Sequence, residues 1–237
     1  MKVIGIIPAR YGSTRFPGKP LAMIGDKTMI QRVYEQSTMI LGQVWVATDD
    51  LRIAQVVERF EGNVIMTSPS CRNGTERCEE AAGKLLLDPD TIVVNIQGDQ
   101  PFIEPAYIDM LVKRMRQVNA GIATIASSTL SAADKDNPNC VKVLVSENYT
   151  ATDFRRRMYN AYFGKWMKHV GVYAFKAYIL QELVKLPQTE KEKELSLEQL
   201  RWVANDYKIE IVHVLGDVLS VDTPEDLIKA NEYLQKQ

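Results

Sequence analysis

The feature that most constrains the fold is an alternation of short apolar runs with amphipathic segments through the first half of the chain. The apolar runs predict strands and the segments between them predict helices: strands at 3–7, 44–48 and 64–67, and helices at 28–40, 51–60 and 75–87. Residues 91–96 are apolar on both faces, which predicts a central parallel strand. This alternation predicts a doubly wound α/β sandwich with a mostly parallel sheet.

The pattern changes between about residues 132 and 167, where we expect an insertion that serves as a dimerisation arm within a single domain, 1–237. The arm would contain a turn at 134–138, a strand at 141–145 and the basic run Arg155 to Arg157. The later segments predict strands at 169–175 and 209–215, helices at 178–185 and 197–205, a charged turn at 190–194, and a last helix that begins after Thr223.

Composition excludes several classes of protein. With 46% hydrophobic residues in 237, the chain can bury a full core, and 29 basic against 30 acidic residues give no general attraction for nucleic acid. No apolar run is long enough to span a membrane and no signal peptide is evident, so we expect a cytoplasmic protein. The three cysteines lack the spacing of a zinc site or a disulfide framework.

The loop that follows the first strand carries the strongest indication of function. Residues 8–20 (PARYGSTRFPGKP) combine the cations Arg10, Arg15 and Lys19 with glycines, which allow close approach of the backbone, and prolines, which stiffen it. Converging cations at the carboxyl end of a strand suit a di- or triphosphate. Neither a Walker A nor a Gly-x-Gly-x-x-Gly motif occurs, which disfavours P-loop kinases and dinucleotide dehydrogenases.

Two carboxylates follow predicted strands at the same edge of the sheet. Asp99 lies in NIQGDQP (95–101) and Asp222 in SVDTP (220–224). Taken singly, each could be a turn or capping residue, but together over a polyphosphate they would supply hard oxygen ligands for Mg²⁺.

Other candidate residues lie in the loop at 68–77 and in the strand at 169–175. Asn73, Gly74 and Thr75 offer small donors for a nucleoside, or form an ordinary turn and helix cap. His169 and Tyr173 are four apart in a strand, so their side chains face the same side and could bind a substrate, although a single strand histidine is more often packed or solvated.

Six segments, in this order, resemble the 3-deoxy-manno-octulosonate (KDO) cytidylyltransferases over nearly the whole chain. The segments are IPARYGSTRFPGKPL (7–21), NGTER (73–77), NIQGDQP (95–101), HVGVY (169–173), LEQLR (197–201) and VDTPED (221–226). The resemblance implies a nucleotide-diphospho-sugar transferase-like fold and a cytoplasmic homodimer. It also implies Mg²⁺-dependent transfer of CMP from CTP to the anomeric hydroxyl of KDO, with release of pyrophosphate, in lipopolysaccharide precursor synthesis.

The same resemblance assigns roles by position. Arg10, Arg15 and Lys19 would hold the triphosphate, and Asp99 with Asp222 would bind magnesium. Catalysis would rest on Arg10, Lys19, Asp99 and Asp222. The remaining roles are a nucleotide pocket lined by Ala9, Ser13, Gly74 and Arg77, and a sugar site formed by Gln97, Arg156, His169, Tyr173, Glu198 and Gln199.

The chain departs from the family between Asp153 and Asn160. Members of the family commonly carry Tyr-Phe-Ser-Arg followed by Ile-Pro, whereas this chain has DFRRRMYN, and the stretch up to His169 is shortened. The departure leaves 8-amino-KDO or another ulosonic acid open as the acceptor. Two further alternatives are a nucleotidyltransferase for a different nucleotide or acceptor, and a non-catalytic nucleotide-binding protein of the same fold.

Overall fold

The computed structural model describes residues 1–13, 15–158, 164–216 and 218–236. Its main sheet contains strands β1 (Val3–Ala9), β4 (Val44–Thr48), β5 (Asn63–Met66), β6 (Ile92–Asn95), β7 (Ile122–Ser127), β8 (Lys142–Val145), β9 (Ala151–Arg155), β10 (Lys165–Lys176) and β11 (Ile209–Val214), and a small hairpin pairs β2 (Met23–Ile24) with β3 (Lys27–Thr28). The helices are α1 (Met29–Thr38), α2 (Leu51–Arg59), α3 (Gly74–Lys84), α4 (Pro105–Gln117), α5 (Ala132–Asp136), α6 (Ala177–Leu183), α7 (Glu190–Leu195), α8 (Gln199–Ala204) and α9 (Pro224–Leu234).

The main sheet has the order β11-β7-β10-β6-β1-β4-β5. Strands β6, β1, β4 and β5 run parallel, as do β7 and β11, whereas β10 is antiparallel to both of its neighbours on this path. The predicted doubly wound, mostly parallel sandwich is therefore confirmed. The prediction for residues 91–96 was right about their central position, but β6 is parallel to β1 only, because β10 enters the sheet from the opposite direction.

Two hydrophobic cores lie on the two faces of this sheet. One contains Ile7 and Val46 of the sheet with Val33 of α1, and the other contains Ile6 of the sheet with Ala81 of α3. Successive residues of β1 thus point into opposite cores, which explains why the strand is apolar throughout. The carboxyl ends of β1, β4 and β6 meet at one edge, where open α/β sheets bind ligands.

The segment near 132–167 adds to the same sheet. Strand β8 pairs with β9 and with the first half of β10, both antiparallel. The bulge in β10 between Val170 and Tyr173 marks the point where this long strand passes from the added strands to the centre of the sheet. Residues 159–163, which include part of the sequence departure noted above, lie outside the described residues.

Two predicted turns are helical in the structure. The predicted turn at 134–138 overlaps α5, which a capping box between Ser131 and Asp134 begins, and the predicted charged turn at 190–194 is α7, capped by Thr189. In both cases a hydroxyl cap satisfies the first free backbone N–H groups, which stabilises a short helix that its charged composition obscures. Strands β7 and β9 and helix α4 were not predicted.

Within the described ranges, none of the helices combines the length and apolarity that a membrane crossing requires.

Candidate functional site

The cationic loop after β1 is closed on the carbonyl oxygen of Tyr11. The backbone N–H groups of Ser13 and Gly18 both donate to this oxygen, each at 2.9 Å. Gly18 has a φ of +72°, and a Cβ at this position would lie 3.1 Å from the Tyr11 ring. Only glycine fits this left-handed and crowded position without strain. The loop therefore delivers Lys19, the next residue, in a fixed direction.

Arg52, at the start of α2, packs on Tyr11 of this loop and is not among the residues that line the two cavities described below. Its guanidinium carbon lies 3.3 Å from the centroid of the Tyr11 ring. Asp50, the N-cap of α2, accepts hydrogen bonds from Arg52 Nε at 2.9 Å and from Nη2 at 2.6 Å. These bonds lower the pKa of Asp50. Arg52 was not predicted from sequence, and its stacking on Tyr11 makes it a support for the loop.

Lys19 joins the two predicted metal ligands. Its ammonium donates to Asp99 Oδ2 at 2.9 Å and to Asp222 Oδ1 at 3.2 Å. Burial alone lowers the pKa of Lys19, but the charges and hydrogen bonds of the two carboxylates outweigh burial and raise it. The side chains are 16% exposed for Lys19, 24% for Asp99 and 19% for Asp222. The carboxylates thus share one cation in a largely desolvated site.

Arg15 extends this cluster towards residues 137–141, the segment before β8. Its Nη2 donates to Asp222 Oδ1 at 3.1 Å and its Nη1 to Asn139 Oδ1 at 2.9 Å. Arg15 is half exposed, so a ligand in the cavity can reach it. Two residues of the cationic loop, Arg15 and Lys19, therefore donate to the same oxygen of Asp222.

Backbone contacts bring the two carboxylates together. The N–H of Val221 donates to the carbonyl of Asp99 at 2.9 Å. Asp222 is not the N-cap of α9, since Thr223 caps that helix and Asp226 accepts a bond from the backbone N–H of Asp222. The Asp222 carboxylate is consequently free of a capping role and faces the cavity.

The donor set of this cluster fits a magnesium ion. Asp99 and Asp222 offer two carboxylate oxygens already directed at one cation, and Mg²⁺ commonly takes one or two carboxylates and completes its shell with phosphate oxygens and water. The described residues contain no group of three or more His, Cys, Asp or Glu side chains arranged for a metal. Phosphate oxygens and water would complete the shell of a magnesium ion held by these two carboxylates.

A cavity of about 300 Å³ lies between the cationic loop and the start of α3. Every residue predicted to bind the nucleotide lines it: Ala9, Arg10, Ser13, Arg15, Lys19, Gly74 and Arg77. Asn73 both caps α3, accepting from Glu76 N at 2.8 Å, and lines the cavity, so the turn and ligand interpretations are compatible. Thr14 lies outside the described residues.

Arg77 is committed to a buried network. Its Nη1 donates to Thr67 Oγ1 at 2.6 Å, and its Nη2 lies 3.3 Å from Asp49 Oδ2. The side chain is 4% exposed. Its contacts with Thr67 and Asp49 connect α3 to the residues that follow β5 and β4.

A larger cleft of about 1080 Å³ adjoins this cavity. All of the residues predicted to face the sugar line the cleft: Gln97, Arg156, His169, Tyr173, Glu198 and Gln199. The two spaces share a wall formed by Arg10, Arg15, Arg72, Asn73, Gln97, Asp99 and Asp222. Arg72, which was not predicted, lies at this boundary and pairs with Glu76 at 2.5 Å. Whether these residues bind ligands stays a prediction.

His169 and Tyr173 face the same side of β10, with ring centroids 5.3 Å apart. They lie at the edge of an aromatic cluster that includes Phe154 and Trp202. Burial lowers the pKa of His169 to about 3, and its Nε2 lies 3.0 Å from Thr124 Oγ1. The imidazole is therefore neutral near pH 7 and can exchange hydrogen bonds but does not supply a charge.

Glu198 carries the most perturbed carboxyl of the cleft. Burial raises its pKa to about 7, against the opposing effects of Thr75 and Arg201. Thr75 donates to Glu198 Oε1 at 2.6 Å, while Oε2 is buried and has no hydrogen-bond partner among the described residues. This arrangement links the start of α3 to the start of α8 and leaves one oxygen for a ligand hydroxyl.

Arg156, which follows β9, connects this strand to Pro138 and to residues 195–196 near the cleft. Its guanidinium donates to the carbonyl oxygens of Leu195 at 2.5 Å, Pro138 at 3.0 Å and Ser196 at 3.0 Å. Burial and the nearby Arg15 lower its pKa. Among the described residues, three of its five N–H donors have partners, which leaves two that could contact a ligand.

Comparison with known proteins shows the family of the chain. A sequence model of the cytidylyltransferase family matches residues 4–210. The chain is 46% identical to 3-deoxy-manno-octulosonate cytidylyltransferase of Parabacteroides distasonis, with 99% of the chain and 98% of that protein covered. It is 42% identical to 8-amino-3,8-dideoxy-manno-octulosonate cytidylyltransferase of Shewanella putrefaciens, with 99% of each covered.

A solved structure shares the fold at a TM-score of 0.90 and 39% identity, with 100% of this chain and 99% of that chain covered. It is described as CMP:2-keto-3-deoxy-manno-octonic acid synthetase complexed with CTP. Taken with the full-length relatives and the family model, this similarity shows that the chain belongs to the 3-deoxy-manno-octulosonate cytidylyltransferase family.

Proposed function

We propose that this protein transfers CMP from CTP to the anomeric hydroxyl of KDO and releases pyrophosphate, in the synthesis of lipopolysaccharide precursors. The observation that carries the proposal is the meeting of the cationic loop with Asp99 and Asp222 through Lys19, at the boundary between a small and a large cavity. A nucleotide in the small cavity would present its α-phosphate to an acceptor in the large cleft.

In the proposed reaction the anomeric hydroxyl attacks the α-phosphorus in line, and pyrophosphate leaves on the opposite side. Arg10, Arg15 and Lys19 hold the triphosphate and stabilise the charge that develops on it. Asp99 and Asp222 would hold a magnesium ion, which would supply further charge neutralisation and lower the pKa of the attacking hydroxyl. The cleft residues orient the acceptor, so that positioning and electrostatics provide most of the rate enhancement.

The acceptor's hydroxyl groups would meet a neutral imidazole and a carboxyl of raised pKa on one side of the cleft. His169 is neutral, and the carboxyl of Glu198 is about half protonated near pH 7, so both can exchange hydrogen bonds with hydroxyls. Arg156, whose charge is close enough to that of Arg15 to be influenced by it, is one of the cations of the cleft that could pair with the acceptor carboxylate.

A second candidate acceptor is 8-amino-KDO. It is supported by the similarity to the Shewanella putrefaciens protein, whose coverage matches that of the relatives named for KDO. Pyrophosphate release measured with CTP and a panel of KDO, 8-amino-KDO and sialic-type acids tests both candidates. We expect the highest kcat/KM with KDO. Release with a different triphosphate alone, or CTP binding with no release for any acid, would contradict the proposal.

Three further properties belong to this proposal. Magnesium dependence is supported by the two directed carboxylates, and a cytoplasmic location by the CTP and sugar-acid substrates. A homodimeric state, with the segment near 132–167 as its arm, is supported by the family resemblance of the sequence. Size-exclusion chromatography with light scattering measures the oligomeric state directly.

A further inference from the structure

In the structure the ammonium of Lys19 lies between the carboxylates of Asp99 and Asp222. It lies at hydrogen-bond distance from one oxygen of each carboxylate, 2.9 Å and 3.2 Å, and those are the oxygens directed at a common point. Both Lys19 and the carboxylates line the small cavity, so the same ammonium is also one of the groups available to a triphosphate. Lys19 can therefore pair either with the two carboxylates or with the phosphates of a bound nucleotide.

The charge of the cluster is already balanced without a metal. Two cations, Arg15 and Lys19, contact two anions, Asp99 and Asp222. A divalent cation added to this group would place two further positive charges beside Lys19, whose side chain is only 16% exposed, and these like charges would repel one another. A triphosphate brings about four negative charges, which removes this penalty and offers Lys19 and Arg15 a new partner.

We propose that Lys19 occupies the place of the magnesium ion in the nucleotide-free protein, so that metal and triphosphate enter as one linked event. The triphosphate draws the ammonium from Asp99 and Asp222, and the carboxylates become available to the metal that accompanies the nucleotide. The protein alone binds divalent metal weakly at this site. This inference rests on the proposed function for the identity of the nucleotide and the metal.

The test is the binding of Mn²⁺, as a paramagnetic substitute for Mg²⁺, to the nucleotide-free protein. The free Mn²⁺ signal in electron paramagnetic resonance gives the affinity without any turnover. Replacement of Lys19 by methionine keeps the length of the side chain and removes its charge. We expect Lys19→Met to bind Mn²⁺ at least about 10-fold more tightly than the wild type, because a unit charge next to the site has been removed. Equal affinity of the two proteins would overturn the proposal.

Matched variants make the result specific. Lys27→Met removes the same charge from β3, where Lys27 pairs with Glu35 at 2.7 Å, and should leave Mn²⁺ affinity unchanged. Adding Asp99→Asn to Lys19→Met should abolish the gain. A gain that appears in Lys27→Met, or that survives Asp99→Asn, would overturn the proposal because the metal would then bind elsewhere.

Two further measurements check that the variants are folded and separate this proposal from the proposed function. Thermal unfolding confirms that each variant is folded, and Lys19→Gln replaces Lys19→Met if the latter is not. Because no acceptor is present, the Mn²⁺ titration is independent of the acceptor panel. A wild type that fails to release pyrophosphate in that panel contradicts the proposed function, whereas an unchanged Mn²⁺ affinity in Lys19→Met contradicts only the displacement of Lys19.

Discussion

The backbone N–H of Val221 donates a 2.9 Å hydrogen bond to the carbonyl oxygen of Asp99. This bond joins the segment after β6 to the segment before α9, and it places the next residue, Asp222, beside Asp99. The pair is thus fixed by main-chain geometry, and their side chains are left to bind a cation. A single-residue change at either carboxylate can consequently remove a ligand without disturbing the backbone that positions it.

Asp99→Asn should lower the rate of CMP transfer by about 10²-fold or more, because it removes a charged ligand from a preorganised site. The measurement is pyrophosphate release at saturating CTP, KDO and magnesium. Asp109→Asn, which changes a surface carboxylate paired with Lys113 on α4, serves as the control and should keep the wild-type rate. Near-normal turnover of Asp99→Asn would show that Asp99 is not a ligand.

Arg52→Ala should raise the KM for CTP about 5-fold, since the cationic loop loses the guanidinium stacked on Tyr11. The KM for the acceptor should stay constant, because Arg52 does not line the large cleft. Arg52→Lys keeps the charge without the planar stack and should give an intermediate value. Arg59→Ala, an exposed residue at the other end of α2, is the control. An effect of Arg52→Ala on the acceptor KM alone would refute this role.

Arg156→Ala should raise the KM for the acceptor about 10-fold and change that for CTP by less than about 2-fold. The substitution leaves the carbonyls of Leu195, Pro138 and Ser196 without their charged donor, and such bonds contribute about 1.5–3 kcal/mol each in favourable settings. The neighbouring Arg157→Ala provides the comparison on an exposed side chain. Steady-state kinetics with each substrate varied in turn separates the two constants, and equal changes in both would contradict the prediction.

Glu198→Gln should become progressively more stable than the wild type as the pH rises from about 5 to 7.5. The folded pKa of Glu198 is about 7 against an ordinary value of 4.5, so between these values the folded protein holds a proton that the unfolded chain releases. The free energy of unfolding of the wild type therefore falls across this window by up to about 3 kcal/mol from this group. Glutamine does not titrate and lacks this contribution.

The measurement is chemical unfolding of both proteins at several pH values. The difference between the two proteins is needed, because His169, whose folded pKa is lowered to about 3, stabilises the wild type as the pH rises through the same range. This contribution is common to both proteins and cancels in the difference. A difference that is independent of pH would show that Glu198 titrates normally.

The first half of the fold, and the meeting of Lys19 with Asp99 and Asp222, could be predicted from sequence because they depend on local patterns. The apolar run of β1 indicates a strand buried on both faces, and Asp99 and Asp222 were expected at one edge because each follows a predicted strand. Asp222 meets Asp99 through Lys19, as that expectation requires. The antiparallel course of β10 could not be predicted, because strand direction depends on the path of the added strands β8 and β9.

The role of Arg52, which contacts the cationic loop through Tyr11, and the helical state of α7 were also not predicted from sequence. Arg52 has no distinguishing pattern except its position two residues after Asp50, a helix cap at the end of β4, and its contact with Tyr11 arises from the adjacency of β1 and β4. The helical state of residues 190–195 depends on the hydroxyl cap of Thr189, while their charged composition suggested a turn. Because α7 lines the large cleft, this omission also hid Glu192 as a wall residue.

The small cavity and the large cleft are adjacent and share seven lining residues. We expect a single compound in which a cytidine mimic is tethered to a sugar-acid mimic to occupy the cavity and the cleft at once. Since each half would raise the local concentration of the other, such a tethered inhibitor should bind far more tightly than its separate fragments.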